Sequence, residues 1–174
     1  PPFRPRRTEE EIRKQMPWAT QGKLAGHKRN VITSLELDPA IMEENNIRFQ
    51  AKYRKIEEAE VRYEEIGCEN ADYLMIAFGS MARICLKTQE MALAEGIKVG
   101  VLRPITLWPF PSKIIAEYAN KVKGMISVEL NAGQMVEDIR LAVNGKVKVE
   151  HFGRLGGIVP TPDEVLNALK QKLM

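Results

Sequence analysis

The second part of the sequence alternates short apolar runs with helical segments, and this alternation constrains the fold more than any other feature. Four runs have the length and composition of β-strands, at residues 73–78, 98–102, 125–130 and 146–152. Helical segments follow them at residues 81–95, 112–122, 133–143 and about 161–173. Because strands that alternate with helices pair in parallel through right-handed crossovers, the sequence predicts an α/β fold with helices on both faces of the sheet.

The pattern within each strand indicates how the sheet is covered. Residues 73–78 (YLMIAF) are apolar without alternation, as is typical of a strand buried on both faces. Residues 146–152 instead alternate Val147 and Val149 with lysine and glutamate, which favours an edge position.

Several short motifs mark the ends of the helices. Ser80 follows the first strand and is predicted to cap the next helix, which Gly96 ends. Residues 161–164 (TPDE) form a capping box with proline at the first helical position, and Asn144-Gly145 predicts a tight turn.

Residues 1–72 differ from this α/β region. Residues 1–30 carry eight basic and three acidic side chains, whereas the whole chain has a net charge of only +3. A capped helix starts at Thr8 and is limited by Pro17, residues 21–34 are irregular, and a long surface helix runs from residue 38 to about residue 66. We therefore predict two parts: a basic irregular segment with a linker helix (1–72) and an α/β domain (73–174).

Composition excludes several classes of protein. The basic segment lacks interleaved aromatic residues and is interpreted as a solvated or partner-facing tail, so nucleic acid is not expected as a partner. No apolar run approaches the roughly 18 residues of a membrane span. Cys68 and Cys85 have neither metal-ligand nor disulfide spacing, so we expect a cytoplasmic protein. The sequence starts Pro-Pro-Phe, without a methionine. Two origins are compatible with this start: a natural product of processing and, at least as strongly expected, a domain cut from a longer chain.

No catalytic constellation stands out. His27 and His151 have no partner at metal-ligand spacing, and Ser80 is not in a G-x-S-x-G elbow. We therefore predict no catalytic residue and no metal site in this chain.

The stretch LRPITLWPFP, residues 102–111, is the first candidate for binding. Its prolines restrict the conformations of the loop, and Trp108 and Phe110 are scarce aromatic residues in a chain with 6% aromatics. Either these rings seal the end of the sheet, or they anchor a partner. Interface candidates here are Arg103, Pro104, Trp108, Pro109 and Phe110.

The other candidates follow strands at the edge where open α/β sheets bind ligands. Gly79-Ser80 is a potential anion site, because a strand passes into a helix there. Asn131, Gly133 and Gln134 follow the third strand and either bind a ligand or cap the helix. Arg154 lies in the loop GRLGG, which either binds an anion or connects two elements.

Four stretches together carry a resemblance to a known family. They are AFGS (77–80), VGVLRPITLWPFP (99–111), SVELNAGQMVEDIR (127–140) and GRLGGIVPTPDEV (153–165). In this order they resemble the C-terminal part of the alpha-type subunit of 2-oxoacid:ferredoxin oxidoreductases of the 2-oxoisovalerate or 2-oxoglutarate type. Residues 37–58 resemble the linker helix of the same subunits.

The resemblance implies a three-layer α/β/α domain like the transketolase C-terminal domain, with a mixed, mainly parallel sheet and a role in assembly. It also implies an enzyme that decarboxylates a 2-oxo acid with coenzyme A, using thiamine diphosphate, Mg²⁺ and iron–sulfur clusters. The expected partners are the thiamine-diphosphate-binding and ferredoxin-like subunits, and ferredoxin as electron acceptor.

Two cysteines are fewer than the four thiolates of a typical iron–sulfur cluster. We therefore expect a fragment that binds no cofactor by itself and is inactive alone. The alternative is a free-standing module of the same fold that binds a small molecule or nucleotide.

Overall fold

The computed structural model describes residues 6–19, 26, 28, 30–31 and 33–174. The chain forms two compact units, Pro1–Asn46 and Ile47–Met174. In the first unit, α1 (Glu9–Gln15) begins with the predicted capping box: the Glu11 amide donates to Thr8 Oγ1 and the Thr8 amide donates to the Glu11 carboxylate. His27 and much of the predicted irregular segment 21–34 lie outside the described residues.

The second unit contains a five-stranded sheet in the order β1-β3-β2-β4-β5. The pairs β3/β2, β2/β4 and β4/β5 are parallel, whereas β1 pairs antiparallel with β3. The predicted mixed, mainly parallel sheet is therefore confirmed, with β5 at one edge. The strands are β1 (Tyr63–Ile66), β2 (Tyr73–Ile76), β3 (Val99–Pro104), β4 (Gly124–Glu129) and β5 (Lys148–Gly153).

Helices cover both faces of this sheet and bury two separate cores. The first core joins α3 and α6 to one face through residues such as Met75, Cys85 and Leu169. The second joins α4 and α5 to the other face through Leu74, Ile115 and Ile139. Alternate residues of β2 point into opposite cores, which explains its unbroken apolar sequence. The helices are α2 (Pro39–Ala59), α3 (Gly79–Ala94), α4 (Ser112–Tyr118), α5 (Met135–Val143) and α6 (Pro162–Leu173).

The predicted extent of the long helix is wrong at its C-terminal end. Helix α2 ends at Ala59, and β1 follows where the helix was expected to continue. The spacing of Tyr63 and Ile66 is compatible with one face of a helix, but these residues pair with Pro104 and Val101 of β3. This pairing joins residues about 40 positions apart and has no signature in the local sequence. The domain boundary after residue 72 stays a prediction.

The predicted cap of α3 is also wrong. Ser80 lies inside the helix, which begins at Gly79, and the N-cap residue is Phe78. The helix therefore begins two residues earlier than the predicted start at Met81, and its first residue, Gly79, has a φ of +58°, which glycine adopts without a steric penalty.

Other helix ends agree with the motifs. The capping box of α6 is present, with the Glu164 amide donating to Thr161 Oγ1 and the Thr161 amide donating to the Glu164 carboxylate. Gly96 follows α3 with a φ of +77°, and Asn144 ends α5 in the left-handed conformation.

Candidate functional site

A cleft lies at the carboxyl edge of the sheet, between the ends of β2 and β4. In the strand order, the connection after β2 leads to β3 on one side, and the connection after β4 leads to β5 on the opposite side. The loops after β2 and β4 therefore diverge, which is where open α/β sheets place ligands. The cleft has a volume of about 270 Å³ and is lined by residues 78–81 and 128–131. It brings together three predicted candidates, Gly79, Ser80 and Asn131.

The buried carboxylate of Glu129, which lines this cleft, was missed as a candidate. It is 1% exposed and accepts a hydrogen bond from the Ser127 hydroxyl at 2.7 Å. It also accepts from the amides of Gln134 (3.2 Å), Met135 (2.9 Å) and Val136 (3.0 Å), so it caps the N-terminus of α5 from the preceding strand. The signal that identifies it is one acidic residue at the end of an otherwise apolar strand, just before a helix.

The environment of Glu129 keeps this group ionised. Burial opposes the charge, but the hydrogen bonds from Ser127 and the α5 amides outweigh it and hold the pKa of Glu129 below its ordinary value. His151 of β5 adjoins it, with Nδ1 3.5 Å from Glu129 Oε1. Glu129 therefore presents a fixed negative charge beneath the loop that follows β4.

The candidates of that loop have backbone roles in the described structure. The Gly133 amide donates to Asn131 Oδ1 at 2.7 Å, and Gly133 has a φ of +108°. Gln134 is the N-cap residue of α5, and its amide is held by Glu129. The Asn131 side chain thus holds the turn at Gly133, and the Gln134 side chain makes no capping hydrogen bond, so Glu129 is the cap of α5; a ligand at this loop stays a prediction.

The predicted loop at residues 102–111 begins as strand, because β3 continues to Pro104, which pairs with Tyr63. The remaining loop is tied to Arg62: the amides of Ile105 (2.9 Å) and Thr106 (3.2 Å) donate to the Arg62 carbonyl oxygen. Thr106 Oγ1 also donates to the Pro109 carbonyl oxygen at 2.9 Å. The loop is therefore held by hydrogen bonds to Arg62 and by one hydrogen bond within the loop itself.

The two aromatic residues of this loop differ in environment. Phe110 packs against the second core and Pro109 is buried, whereas Trp108 is 55% exposed. The Trp108 ring meets that of Tyr53 from α2 in a T-shaped arrangement, with centroids 5.5 Å apart and an interplanar angle of 83°. Phe110 is therefore partly covered by the second core, whereas more than half of the Trp108 side chain is accessible.

Both candidate arginines are engaged within the chain. Arg103 Nη1 lies 2.8 Å from Glu64 Oε2 of β1, and Arg154 Nη1 lies 2.8 Å from Glu164 Oε1 of α6. The glycines after Arg154 form a turn in which the Ile158 amide donates to the Leu155 carbonyl oxygen. In the GRLGG loop the charge of Arg154 is thus directed to Glu164, and an anion site there stays a prediction.

The donor set of the described residues does not fit an iron–sulfur cluster. Cys68 lies in the second core and Cys85 in the first, on opposite faces of the sheet. Burial raises the pKa of Cys68 to about 11 and that of Cys85 to about 12, which disfavours the thiolate that metals require. Among the described residues, no three His, Cys, Asp or Glu side chains are grouped as a metal site. In the same part of the chain, no helix has the length and apolar character needed to cross a bilayer.

Comparisons with known proteins agree on one family. The family model described as pyruvate:ferredoxin oxidoreductase core domain II matches residues 71–165. The ketoisovalerate oxidoreductase subunit VorB of Methanothermobacter thermautotrophicus is 45% identical over 161 residues, which are 92% of this chain and 45% of that relative. The 2-oxoglutarate synthase subunit KorA of Methanothermobacter marburgensis is 34% identical over 101 residues, 58% of this chain and 27% of that relative.

Solved structures support the same fold. The 2-oxoglutarate:ferredoxin oxidoreductase from Magnetococcus marinus, solved with 2-oxoglutarate, coenzyme A and succinyl-CoA bound, superposes with a TM-score of 0.68 and 26% identity over 80% of this chain and 24% of that chain. A split-gene transketolase, an inactive β4 tetramer, has a TM-score of 0.55 at 20% identity over 64% of this chain and 41% of that chain, and so shows the fold alone. The chain spans about half the length of the VorB relative.

Proposed function

The chain belongs to the pyruvate:ferredoxin oxidoreductase core domain II family, and from this premise we propose that it is an assembly domain of a 2-oxoacid:ferredoxin oxidoreductase subunit. The reaction of the complete enzyme is the conversion of a 2-oxo acid, coenzyme A and oxidised ferredoxin to an acyl-CoA, CO₂ and reduced ferredoxin. The identity to VorB, which exceeds that to KorA, supports a branched-chain substrate such as 2-oxoisovalerate.

In this proposal the chemistry belongs to other parts of the enzyme. Thiamine diphosphate with Mg²⁺ supplies the decarboxylation, and iron–sulfur clusters carry the electrons to ferredoxin. The buried thiols of Cys68 and Cys85 support the assignment of the iron–sulfur clusters to partner subunits, because the two thiols lie in separate cores on opposite faces of the sheet. The partners are the thiamine-diphosphate-binding and ferredoxin-like subunits.

The exposed indole of Trp108 carries the assembly role. A large apolar ring held on an ordered loop loses little conformational entropy when a partner covers it. Tryptophan is also among the residues that most often dominate binding energy at interfaces. The half-exposed Trp108 ring is therefore an anchor, and the more buried Phe110 keeps the loop attached to the domain.

Trp108→Ala tests this role when the chain is co-expressed with the remaining subunits of the oxidoreductase. We expect the complex to dissociate in size-exclusion chromatography with light scattering, while circular dichroism of the variant matches the wild type. Leu141→Ala, at a residue 81% exposed on α5, is the control and is expected to leave the complex intact. Loss of the fold in the Trp108 variant would instead support the seal, and an unchanged complex would contradict the anchor.

The carboxyl-edge cleft favours a second candidate, a binding module for a small molecule or nucleotide. Its volume of about 270 Å³ lies just below the roughly 300–1,000 Å³ of typical ligand pockets. A phosphate group fits such a space better than a whole nucleotide. The amides at the start of α3 are suited to an anion, whereas the ionised Glu129 carboxylate in the lining of the same cleft opposes one. Calorimetric titration of the isolated chain with ADP and with inorganic phosphate tests this candidate. Micromolar binding that Ser80→Ala weakens would favour it over the assembly role.

A further inference from the structure

The C-terminal part of α2 exposes apolar side chains of the kind that a stable helix normally packs against a neighbouring element. In the second unit, Ile47 is 65% exposed, Phe49 42% and Tyr53 40%. Most helical stability in proteins comes from packing an apolar face, not from propensity. Ile47 lies on a different side of the helix from Phe49, so the face that α2 offers a partner is the one that carries Phe49 and Tyr53.

This face continues into the loop after β3. Phe49 and Tyr53 are four residues apart and lie one turn apart on the same side of α2. The Tyr53 ring contacts the Trp108 ring, which is itself 55% exposed. The three rings form what we call the aromatic patch: Phe49, Tyr53 and Trp108. Aromatic residues grouped in this way are the composition of interface centres.

The segment of α2 that carries the patch is basic. Residues 48–55 (RFQAKYRK) contain four basic side chains and no acidic one. The Arg48 guanidinium lies 5.5 Å from the centroid of the Phe49 ring, and Lys52 and Arg54 directly flank Tyr53. No ion pair involving Lys52 or Arg54 occurs within the described ranges.

Acidic residues of α2 lie on both sides of this segment, at positions 43–44 and 57–58, but within the described ranges none of them forms an ion pair with Lys52 or Arg54. Glu60 is paired with Arg62 at 2.8 Å and Glu64 with Arg103 at 2.8 Å. Glu57 and Glu58 follow one turn beyond Tyr53, towards the C-terminal end of the helix, so Lys52 and Arg54 are the charged residues nearest to Tyr53 in the sequence. The rim of the patch is therefore positive, and it complements a negative partner.

The same charge argues against a second copy of this chain as the occupant. A twofold contact through the patch would bring residues 48–55 of one copy against the same segment of the other. Like charges brought together across an interface are unfavourable, typically by several kcal/mol. The same positive rim attracts an acidic partner, which increases the rate of association and favours one orientation of the partner on the patch.

We propose that the aromatic patch and the basic segment 48–55 dock a surface on another subunit of the same enzyme that has an apolar centre and an acidic rim. This inference rests on the proposed assembly function and adds the chemistry of the partner surface. The rings supply the apolar contact, and Lys52 and Arg54 select the acidic rim.

The test measures the affinity of the chain for the remaining subunits of the enzyme by biolayer interferometry. The remaining subunits are purified together, without the chain, and are immobilised on the sensor. The double variant Lys52→Glu/Arg54→Glu is expected to bind at least about tenfold more weakly than the wild type at 50 mM salt. The wild-type affinity is expected to fall as salt rises to 500 mM, and this dependence should be smaller in the double variant. Lys113→Glu/Lys146→Glu changes the net charge equally at exposed positions outside the patch and is the matched control.

Hydrogen exchange then identifies the partner surface. The partner segment that the chain protects is expected to be net acidic, and replacing its acidic residues by lysine should restore binding of the Lys52→Glu/Arg54→Glu variant. Circular dichroism verifies that this variant is folded, and the salt dependence of the wild type tests the inference without any substitution.

The outcomes separate the inference from the function on which it rests. Tight wild-type binding with an equally tight double variant and no salt dependence would overturn the acidic docking surface and leave the assembly function standing. Self-association of the chain through the patch, measured by analytical ultracentrifugation, would also overturn it. Failure of the wild-type chain to bind the other subunits at all would overturn both.

Discussion

At the scale of single residues, Glu129 connects the sheet to the loop that follows it. Its carboxylate takes the place of a side-chain cap for α5 and holds the Ser127 hydroxyl as well. A buried charge is costly unless hydrogen bonds replace its hydration, and four donors do so here. These hydrogen bonds also position Asn131 beside the cleft. The loop that carries Asn131 begins at Leu130 and ends at Gln134 and Met135, whose amides donate to Glu129.

Replacement of Glu129 is expected to be strongly destabilising. Glu129→Ala leaves the buried amides of Met135 and Val136 without their acceptor, and each orphaned group costs about 1–3 kcal/mol. We expect a loss of roughly 3–5 kcal/mol in the free energy of unfolding, measured by urea denaturation. Glu137→Ala, at an exposed position in the first turn of the same helix, should cost no more than about 1 kcal/mol. Equal losses in the two variants would contradict the capping role.

The lowered pKa of Glu129 also predicts how stability depends on pH. A carboxyl group whose pKa is lower in the folded state contributes stability above its unfolded value, here ordinarily 4.5, and loses it as the pH falls through the folded value. The wild-type free energy of unfolding is therefore expected to decrease from about pH 5 towards pH 3, by up to about 1.4 kcal/mol per pH unit for this one group. In Glu129→Gln that part of the slope should vanish. The comparison uses urea denaturation of both proteins at matched pH values, and parallel curves would exclude Glu129 as the source.

At the scale of elements, the helices with strong local signals are the ones that the sequence locates best. Helix α6 begins at the predicted capping box and buries Val165, Leu166, Ala168 and Leu169 on one face. Its start is encoded within four residues, so no distant contact is needed to specify it. In contrast, β1 is a strand because it pairs with β3. The local sequence of residues 63–66 is equally compatible with a continuation of helix α2.

The capping box of α6 provides a test at this scale. Thr161→Ala removes the oxygen that accepts from the Glu164 amide, with an expected loss of about 1 kcal/mol in unfolding free energy. Gln171→Ala, exposed near the end of the same helix, should change it by less than about 0.5 kcal/mol. Chemical denaturation of the two variants makes the comparison. An unchanged Thr161→Ala stability would mean that α6 depends on packing alone.

At the scale of the whole molecule, the second unit is an α/β frame with a closed interior and exposed apolar side chains at its surface. The thiols are buried, the arginines of the candidate loops are paired, and the apolar groups that remain accessible include the aromatic patch. This distribution suits a domain that positions other parts of an enzyme.

The isolated 174-residue chain is accordingly expected to show no turnover. We expect no ¹⁴CO₂ release from 1-¹⁴C-labelled 2-oxoisovalerate in the presence of thiamine diphosphate, Mg²⁺, coenzyme A and an artificial electron acceptor. The physical reason is that the donor set of the described residues does not fit the redox groups of the reaction. The complete enzyme serves as the positive control. Measurable release by the chain alone would refute its role as an assembly domain without activity of its own.

The sequence by itself determined the α/β class, the parallel core of the sheet and the capping of α1 and α6. Those features depend on local patterns: the apolar runs of buried strands, the period of the helices, and residues such as Thr161 and Glu164 three positions apart. The family resemblance carried by residues 77–165 was also legible in the sequence, and the family match over residues 71–165 confirmed it.

The tertiary structure alone decided β1, the cleft and the environments of the candidate residues. The β1–β3 pairing, the T-shaped contact of Tyr53 with Trp108 and the approach of residues 78–81 to residues 128–131 all join segments far apart in the chain. No local pattern encodes such contacts, because their energy arises only when the segments meet in the folded state. The same reason explains why Trp108 and Phe110, two residues apart, differ in exposure. Phe110 faces the core, whereas Trp108 faces α2 and solvent.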